Sequence, residues 1–226
     1  MWSITTAEQH IIESQFLHTL VLETPSHSRP SLPSAIQQLA GRLSFPQLRY
    51  LKLGGRHHDH GTGPTGSTCC DSFFAGAPRL EDMEWNTDIC TKDGFKHFLL
   101  AVPSTVRCLR ILPCQSTDVR FLLDEILLAI NSSCQGLQEL EIEQCLSASD
   151  DVLVDFIKSR MVAGALSDLI IRFTRHRALE SLPDLQPFLE AGLRIKLTSP
   201  PPPAYSPLPC SPWYGLEDGL HGWTFP

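Results

Sequence analysis

The 226-residue chain has no run of 18 apolar residues, so no transmembrane helix is expected. Its opening, MWSITTAEQH, lacks a basic end followed by an apolar stretch, and no secretory leader is expected. The eight cysteines include no C-x-x-C pair and no paired zinc spacing. Cys108, Cys114, Cys134 and Cys145 lie in or beside apolar runs. They read as small buried thiols in a reducing compartment, which points to the cytoplasm, with the nucleus as a second location. Asn131-Ser132-Ser133 matches a glycosylation acceptor, but without a leader the match carries no meaning. Positive charge is short: 18 Lys and Arg stand against 25 Asp and Glu, a formal net charge of -7. Nucleic acid and anionic membranes both demand a basic face, so neither is expected as a partner. No G-x-S-x-G and no H-E-x-x-H occurs. The adjacent carboxylates Asp150 and Asp151 read as a helix start, where the dipole favours negative charge. No enzyme activity and no cofactor is expected.

Two stretches come close to known chemistry and stop short. In GTGPTGST, Gly61, Gly66 and Thr68 fit a phosphate-binding loop, but Ser67 stands where the frame needs lysine. Serine supplies no charge for terminal phosphates, and no strand-to-helix turn surrounds it. His57, His58, Asp59 and His60, with Cys69 and Cys70 nearby, offer zinc or copper donors. Adjacent ligands in a glycine-rich loop lack the spaced frame of a structural site, so no metal is expected.

What the chain does have is a recurring line, L-x-x-L-x-L. It appears as LHTLVL from Leu17, LRYLKL from Leu48, LEDMEW from Leu80, VRCLRI from Val106, LQELEI from Leu137 and LSDLII from Leu166. A shortened LRIKL follows from Leu193, and the starts lie 31, 32, 26, 31, 29 and 27 residues apart. At 42% apolar such lines arise easily by chance, so spacing and punctuation carry the inference. Pro46, Pro78 and Pro103 precede three lines, and Gly136, Gly164 and Gly192 precede three others. Each marker ends the element upstream.

That element reads as a helix in most units. VRFLLDEILLAI sets Val119, Leu122, Leu123, Ile126, Leu127 and Ile130 on one stripe at the 3.6-residue period. DDVLVDFIKSRM, capped by Asp150 or Asp151, repeats the pattern, and DLQPFLEAG runs from Asp184 to Gly192. PSAIQQLAGRL reads as a helix, and CDSFFAGA and FKHFLLAV as shorter ones. Thr6 and Gln9 suggest a capping box opening a helix that carries Ile11, Ile12 and Phe16.

A helix, a breaker, a short strand and a loop per unit cannot bury both apolar faces alone, but stacked neighbours can. The fold expected is α/β. It is a leucine-rich repeat solenoid over residues 1–198, with a curved parallel sheet, outer helices and about six to seven repeats. Residues 54–68 read as an inserted flexible loop, and 199–226 as a proline-rich, largely disordered tail.

The fourth and sixth places of each line should point into the core, and the third, fifth and seventh to the open, concave side. The fifth place gives Val21, Lys52, Glu84, Arg110, Glu141 and Ile170, a ladder of alternating charge in its middle. The third gives Thr19, Tyr50, Asp82, Cys108, Glu139 and Asp168, and the seventh includes Glu143 and Arg172. Tyr50, Lys52, Asp82, Glu84, Arg110, Glu139, Glu141, Glu143 and Arg172 are the expected protein-binding residues. Its acidic middle favours a basic partner. In the tail, Pro202, Pro203 and Tyr205 belong to P-P-x-Y, the form read by WW domains, so a WW-domain protein is a second candidate partner.

In order along the chain come FPQLRYLKL, FFAGAPRLEDMEW, VPSTVRCLRI, LQELEIEQC and FIKSRM followed by LSDLIIRF, then DLQPFLEAGLRIKL and SPWYGLEDG. Together they cover most of residues 16–220 and resemble the leucine-rich repeat part of fungal F-box-type proteins, in particular the divergent set of mushroom-forming fungi. The resemblance implies repeats that capture a substrate, and an N-terminal three-helix F-box that docks to a cullin-type ubiquitin ligase. About 16 residues precede the first strand here, and no F-box is expected in them. The function expected is protein binding without catalysis, as a ubiquitin-ligase adaptor or as a stand-alone scaffold recruiting WW-domain proteins.

Overall fold

The structure is a computed structural model that describes residues 12–24, 43–55, 73–86, 92–112, 123–145, 149–174 and 185–200. Seven of its strands form one parallel sheet: β2 (Thr19–Thr24), β4 (Tyr50–Gly55), β5 (Asp82–Asn86), β6 (Cys108–Leu112), β7 (Glu139–Cys145), β8 (Asp168–Phe173) and β9 (Arg194–Thr198). Their order in the sheet is their order in the chain. A separate parallel pair joins β1 (Ile12–Glu13) to β3 (Leu43–Ser44). Parallel neighbours need a crossover. Among the described residues four helices supply it between β5 and β9: α1 (Lys92–Ala101), α2 (Leu123–Ser133), α3 (Asp150–Val162) and α4 (Gln186–Glu190). A single helical turn at Phe73–Ala75 precedes β5.

The period-2 pattern decides which face each strand buries. Leu51 and Leu53, Met83 and Trp85, Leu109 and Ile111, Leu140 and Ile142, and Leu169 and Ile171 are all buried. They meet Phe95, Phe98 and Leu99 of α1, Ile126, Leu127 and Ile130 of α2, and Leu153, Phe156 and Ile157 of α3 in one cluster. Burying each such side chain contributes roughly 1.5–3 kcal/mol. An edge-to-face run of rings, Phe45–Phe73–Phe74–Phe98, crosses the early part of this core at centroid distances of 6.2, 5.7 and 5.1 Å.

The strands begin two residues into each line, at its third place. The first place sits in the turn before the strand, where Leu48, Leu80, Val106 and Leu137 are fully buried. The second place holds the stack in register through its carbonyl. Arg49 accepts from the backbone N–H of Glu81 (2.9 Å) and of Asp82 (2.8 Å). Glu81 accepts likewise from Arg107 and Cys108, Arg107 from Gln138 and Glu139, and Gln138 from Ser167 and Asp168. The last line is one residue shorter. Arg194 pairs with Asp168, so buried Leu193 takes a second place and does the work of the missing first leucine.

Gly164 and Gly192 close α3 and α4 in the left-handed region, with φ of 68° and 95°. Each end is a Schellman motif. At α3, Gly164 N–H donates to Met161 O and Ala165 N–H to Arg160 O; at α4, Gly192 donates to Leu189 and Leu193 to Phe188. Arg160 is the buried charge among the described residues, 2% exposed. From α3 its guanidinium donates to the carbonyls of Ile130 and Cys134 at the end of α2, both at 2.5 Å, and lies over the Phe156 ring. Burial lowers its pKa, while the carbonyl end of α2 favours the cation.

Several expectations change. Ile12 belongs to strand β1, paired with Leu43, and Phe16 lies in a turn with 88% of its surface exposed, so no helix carries them. Thr6, Gln9 and Ile11 lie outside the described residues, as do Val119, Leu122 and Asp184. Leu43, placed in a helix by the sequence, is also strand. The loop set at 54–68 begins later: Gly54 and Gly55 complete β4, paired with Glu23 and Thr24. Residues 56–68 lie outside the described residues, and so do Pro202, Pro203 and Tyr205. Ser149 is the residue that enters α3, without a side-chain cap bond, and Asp150 and Asp151 fill its first turn. Among the described residues no helix is long and apolar enough to cross a membrane.

Candidate binding face

The opposite face of the sheet carries the third, fifth and seventh places, and register aligns them across the array. The third-place row runs Thr19–Tyr50–Asp82–Cys108–Glu139–Asp168–Arg194. The fifth-place row runs Val21–Lys52–Glu84–Arg110–Glu141–Ile170–Lys196. Register therefore puts Tyr50, Lys52, Asp82, Glu84, Arg110, Glu139 and Glu141 on one face, with Glu143 and Arg172 further along their strands.

The fifth-place charges meet across strands. Lys52 Nζ lies 3.3 Å from Glu23 Oε1 and 3.0 Å from Glu84 Oε1. Arg110 Nε lies 3.7 Å from Glu141 Oε2, and Arg172 Nη1 lies 2.9 Å from Glu141 Oε1. Arg172 also pairs with Glu143. The Glu143–Arg172 pair forms beside a register shift in β7 between Ile142 and Cys145. Each half-exposed pair contributes on the order of 0.2–1 kcal/mol. The hydrogen bond to Glu84, with a second to Glu23, holds the Lys52 ammonium above its ordinary pKa. Tyr50 Oη donates to Glu84 Oε2 at 3.3 Å. Burial, and then the Glu84 charge, push its phenol up.

The third-place row behaves differently. At its end Arg194 Nε lies 2.5 Å from Asp168 Oδ1, and that bond holds the Asp168 carboxyl below the usual range. In its middle Asp82 goes the other way: burial first, then the Glu81 charge, raise its pKa. Cys108, between Asp82 and Glu139, has its thiol pushed up to about 11, chiefly by burial and then by those carboxylates. At neutral pH it is a protonated thiol and a poor nucleophile. Cys134 is likewise a free, buried thiol, raised by burial.

A depression of about 320 Å³ opens over this middle stretch. Tyr50, Asp82, Cys108 and Glu139 line it from four adjacent strands, and Glu81, Arg107 and Gln138 come from the second places just before the strands. Those second-place residues were not read from the sequence as site residues. Their signal was a polar side chain directly before each strand, but its meaning depends on the neighbouring strand. Asp168, on the third-place row, and Glu23, at the seventh place, were read on this face but not among the binding residues, and Arg194, which pairs with Asp168, was not singled out. Among the described residues no group of three or more His, Cys, Asp or Glu is placed to hold a metal ion. His57, His58 and His60 lie outside those residues.

Seven parallel strands, one face packed under helices and the other polar, make a surface that can hold another chain by charge and hydrogen bonding. No protein-family model and no curated protein matches the chain, which stands on its own residues as an α/β protein with a seven-stranded parallel sheet.

Proposed function

We propose that the chain is a non-catalytic protein-binding module, a leucine-rich repeat array that captures a partner on the polar face of its sheet. The observation that carries this reading is the row of aligned, cross-paired charges from Glu23 to Arg172 on a face that the helices leave uncovered. Side chains held by their neighbours form a pre-organised surface, which lowers the ordering cost of binding. The raised thiol of Cys108 fits a binding role better than a nucleophilic one. The likeness to F-box-type repeats suggests that the partner is the substrate of a ubiquitin ligase.

The test is affinity capture of the tagged chain from its own cell extract, with Arg110→Glu/Arg172→Glu and Tyr205→Ala run in parallel. A partner held by wild type and by Tyr205→Ala, but lost on the double reversal, supports the face. The P-P-A-Y sequence at 202–205 favours one second reading, a scaffold for WW-domain proteins. That reading expects the reverse pattern, with loss on Tyr205→Ala alone.

A further inference from the structure

The charges of the open face do not all cancel, and where they do not, the face is recessed. Glu84 is taken by Lys52, and Arg110 by Glu141. Around the depression this leaves Glu81, Asp82 and Glu139 against Arg107. Neither Asp82 nor Glu139 forms a close ion pair among the described residues; the Arg110 charge reaches Asp82 and the Arg194 charge reaches Glu139 from a distance, and the Cys108 thiol donates to Glu139. The two carboxylates stand on β5 and β7, directly aligned through Cys108 on β6. Two strand spacings separate their backbones by about 9.6 Å. The residue between them, Cys108, is a small side chain that also lines the recess.

We infer that this recess receives one arginine side chain of the partner protein, with Asp82 and Glu139 bonding opposite sides of its guanidinium. The inference rests on the reading of the open face as the binding surface and names the chemistry of what binds there. A guanidinium presents donors along both edges of a plane and is weakly hydrated, so it can bridge two separated carboxylates. A lysine ammonium is compact and reaches one at a time, so arginine ranks above lysine. Tyr50 adds an aromatic wall of the kind that favours a flat cation. A nucleic acid strand is repelled by the same carboxylates. An enclosed, mostly apolar cavity would suit a small molecule, and this recess is open and charged.

The experiment pans a phage-displayed library of random nonapeptides on the immobilised full chain. The selected sequence is then titrated as a fluorescein-labelled synthetic peptide. Arginine should dominate one position of the selected set. Asp82→Asn and Glu139→Gln should each weaken the peptide about tenfold. Replacing that arginine by citrulline, which keeps the shape and removes the charge, should weaken it as much on the unaltered protein. This arm does not depend on how the variants fold. Selected peptides without a cationic residue, or peptides indifferent to Asp82→Asn, Glu139→Gln and citrulline, overturn the inference. If those peptides are still lost on Arg110→Glu/Arg172→Glu, the binding face survives without the arginine recess. A wild-type chain that selects nothing overturns both.

Discussion

Asp82 and Asp168 occupy the same row of the sheet with opposite electrostatics. Burial and Glu81 push Asp82 up, while the Arg194 bond holds Asp168 down. A carboxyl raised on folding contributes stability that is full below its unfolded pKa and lost as pH rises through the folded value. A depressed one contributes stability present above its unfolded pKa and lost as pH falls through the folded value. Asp82→Asn should therefore raise the urea midpoint at pH 7, and Asp168→Asn should lower it. Both differences should be smaller at about pH 3 than at pH 7, since the unfolded carboxyls are then largely protonated, and the one at Asp168 closes only below its depressed folded value. Urea melts of the three proteins at the two pH values check this. A lower midpoint for Asp82→Asn at pH 7 would mean that Asp82 has a stabilising partner. An ionised group that costs stability, set in a recess of the open face, is what a site kept for a partner looks like.

Among the elements, the joint between α2 and α3 depends on one side chain. Arg160 spans the two helices and closes the carbonyl end of α2. Those carbonyls also accept backbone bonds, Ile130 O from Cys134 and Cys134 O from Leu137. Removing the arginine leaves them satisfied once rather than twice. Arg160→Met fills most of the space without the charge and should cost about 2–3 kcal/mol in urea unfolding. Arg160→Lys should recover only part of it, because the shorter lysine replaces two spread nitrogens, each on its own carbonyl, with one compact ammonium. An unchanged midpoint in the methionine variant would mean that the bonds only offset the burial of the charge. The sequence showed no sign of this contact, because residues 130 and 160 come together only when the units stack. What it did show were local signals. Gly164 and Gly192 marked helix ends and close them in Schellman form, and the alternation in LRYLKL and LQELEI gave both the strands and their inward faces. Local signals misled where pairing overrode them. Ile12 entered a strand against Leu43, and Gly54 was drawn into β4 opposite Glu23. The candidate site divides in the same way. The fifth-place ladder followed from register alone, while the recess needed second-place residues whose neighbours lie a full repeat away.

For the whole molecule, sheet order equal to chain order means that each strand leans mainly on the strands before and after it. Stability in such a stack is close to a sum of unit and neighbour terms. Burial already shows a gradient along it. Leu109 and Leu140 in the middle are 0% and 1% exposed, while Leu20 and Leu22 on β2 and Ile195 and Leu197 on β9 are partly buried. Leu109→Ala leaves a cavity closed on all sides and should cost about 3 kcal/mol. Leu197→Ala removes a side chain that water already reaches, and about 1 kcal/mol is expected. Amide hydrogen exchange should follow the same order, slowest in β6 and β7 and faster toward β9. In Leu197→Ala the loss of protection should stay near β8 and β9. In Leu109→Ala it should spread through β5, β6 and β7, the strands that frame the recess. Equal costs at the two sites, with protection lost everywhere at once, would mean that the sheet unfolds as one unit. The recess would then share the stability of the whole chain rather than that of its three strands.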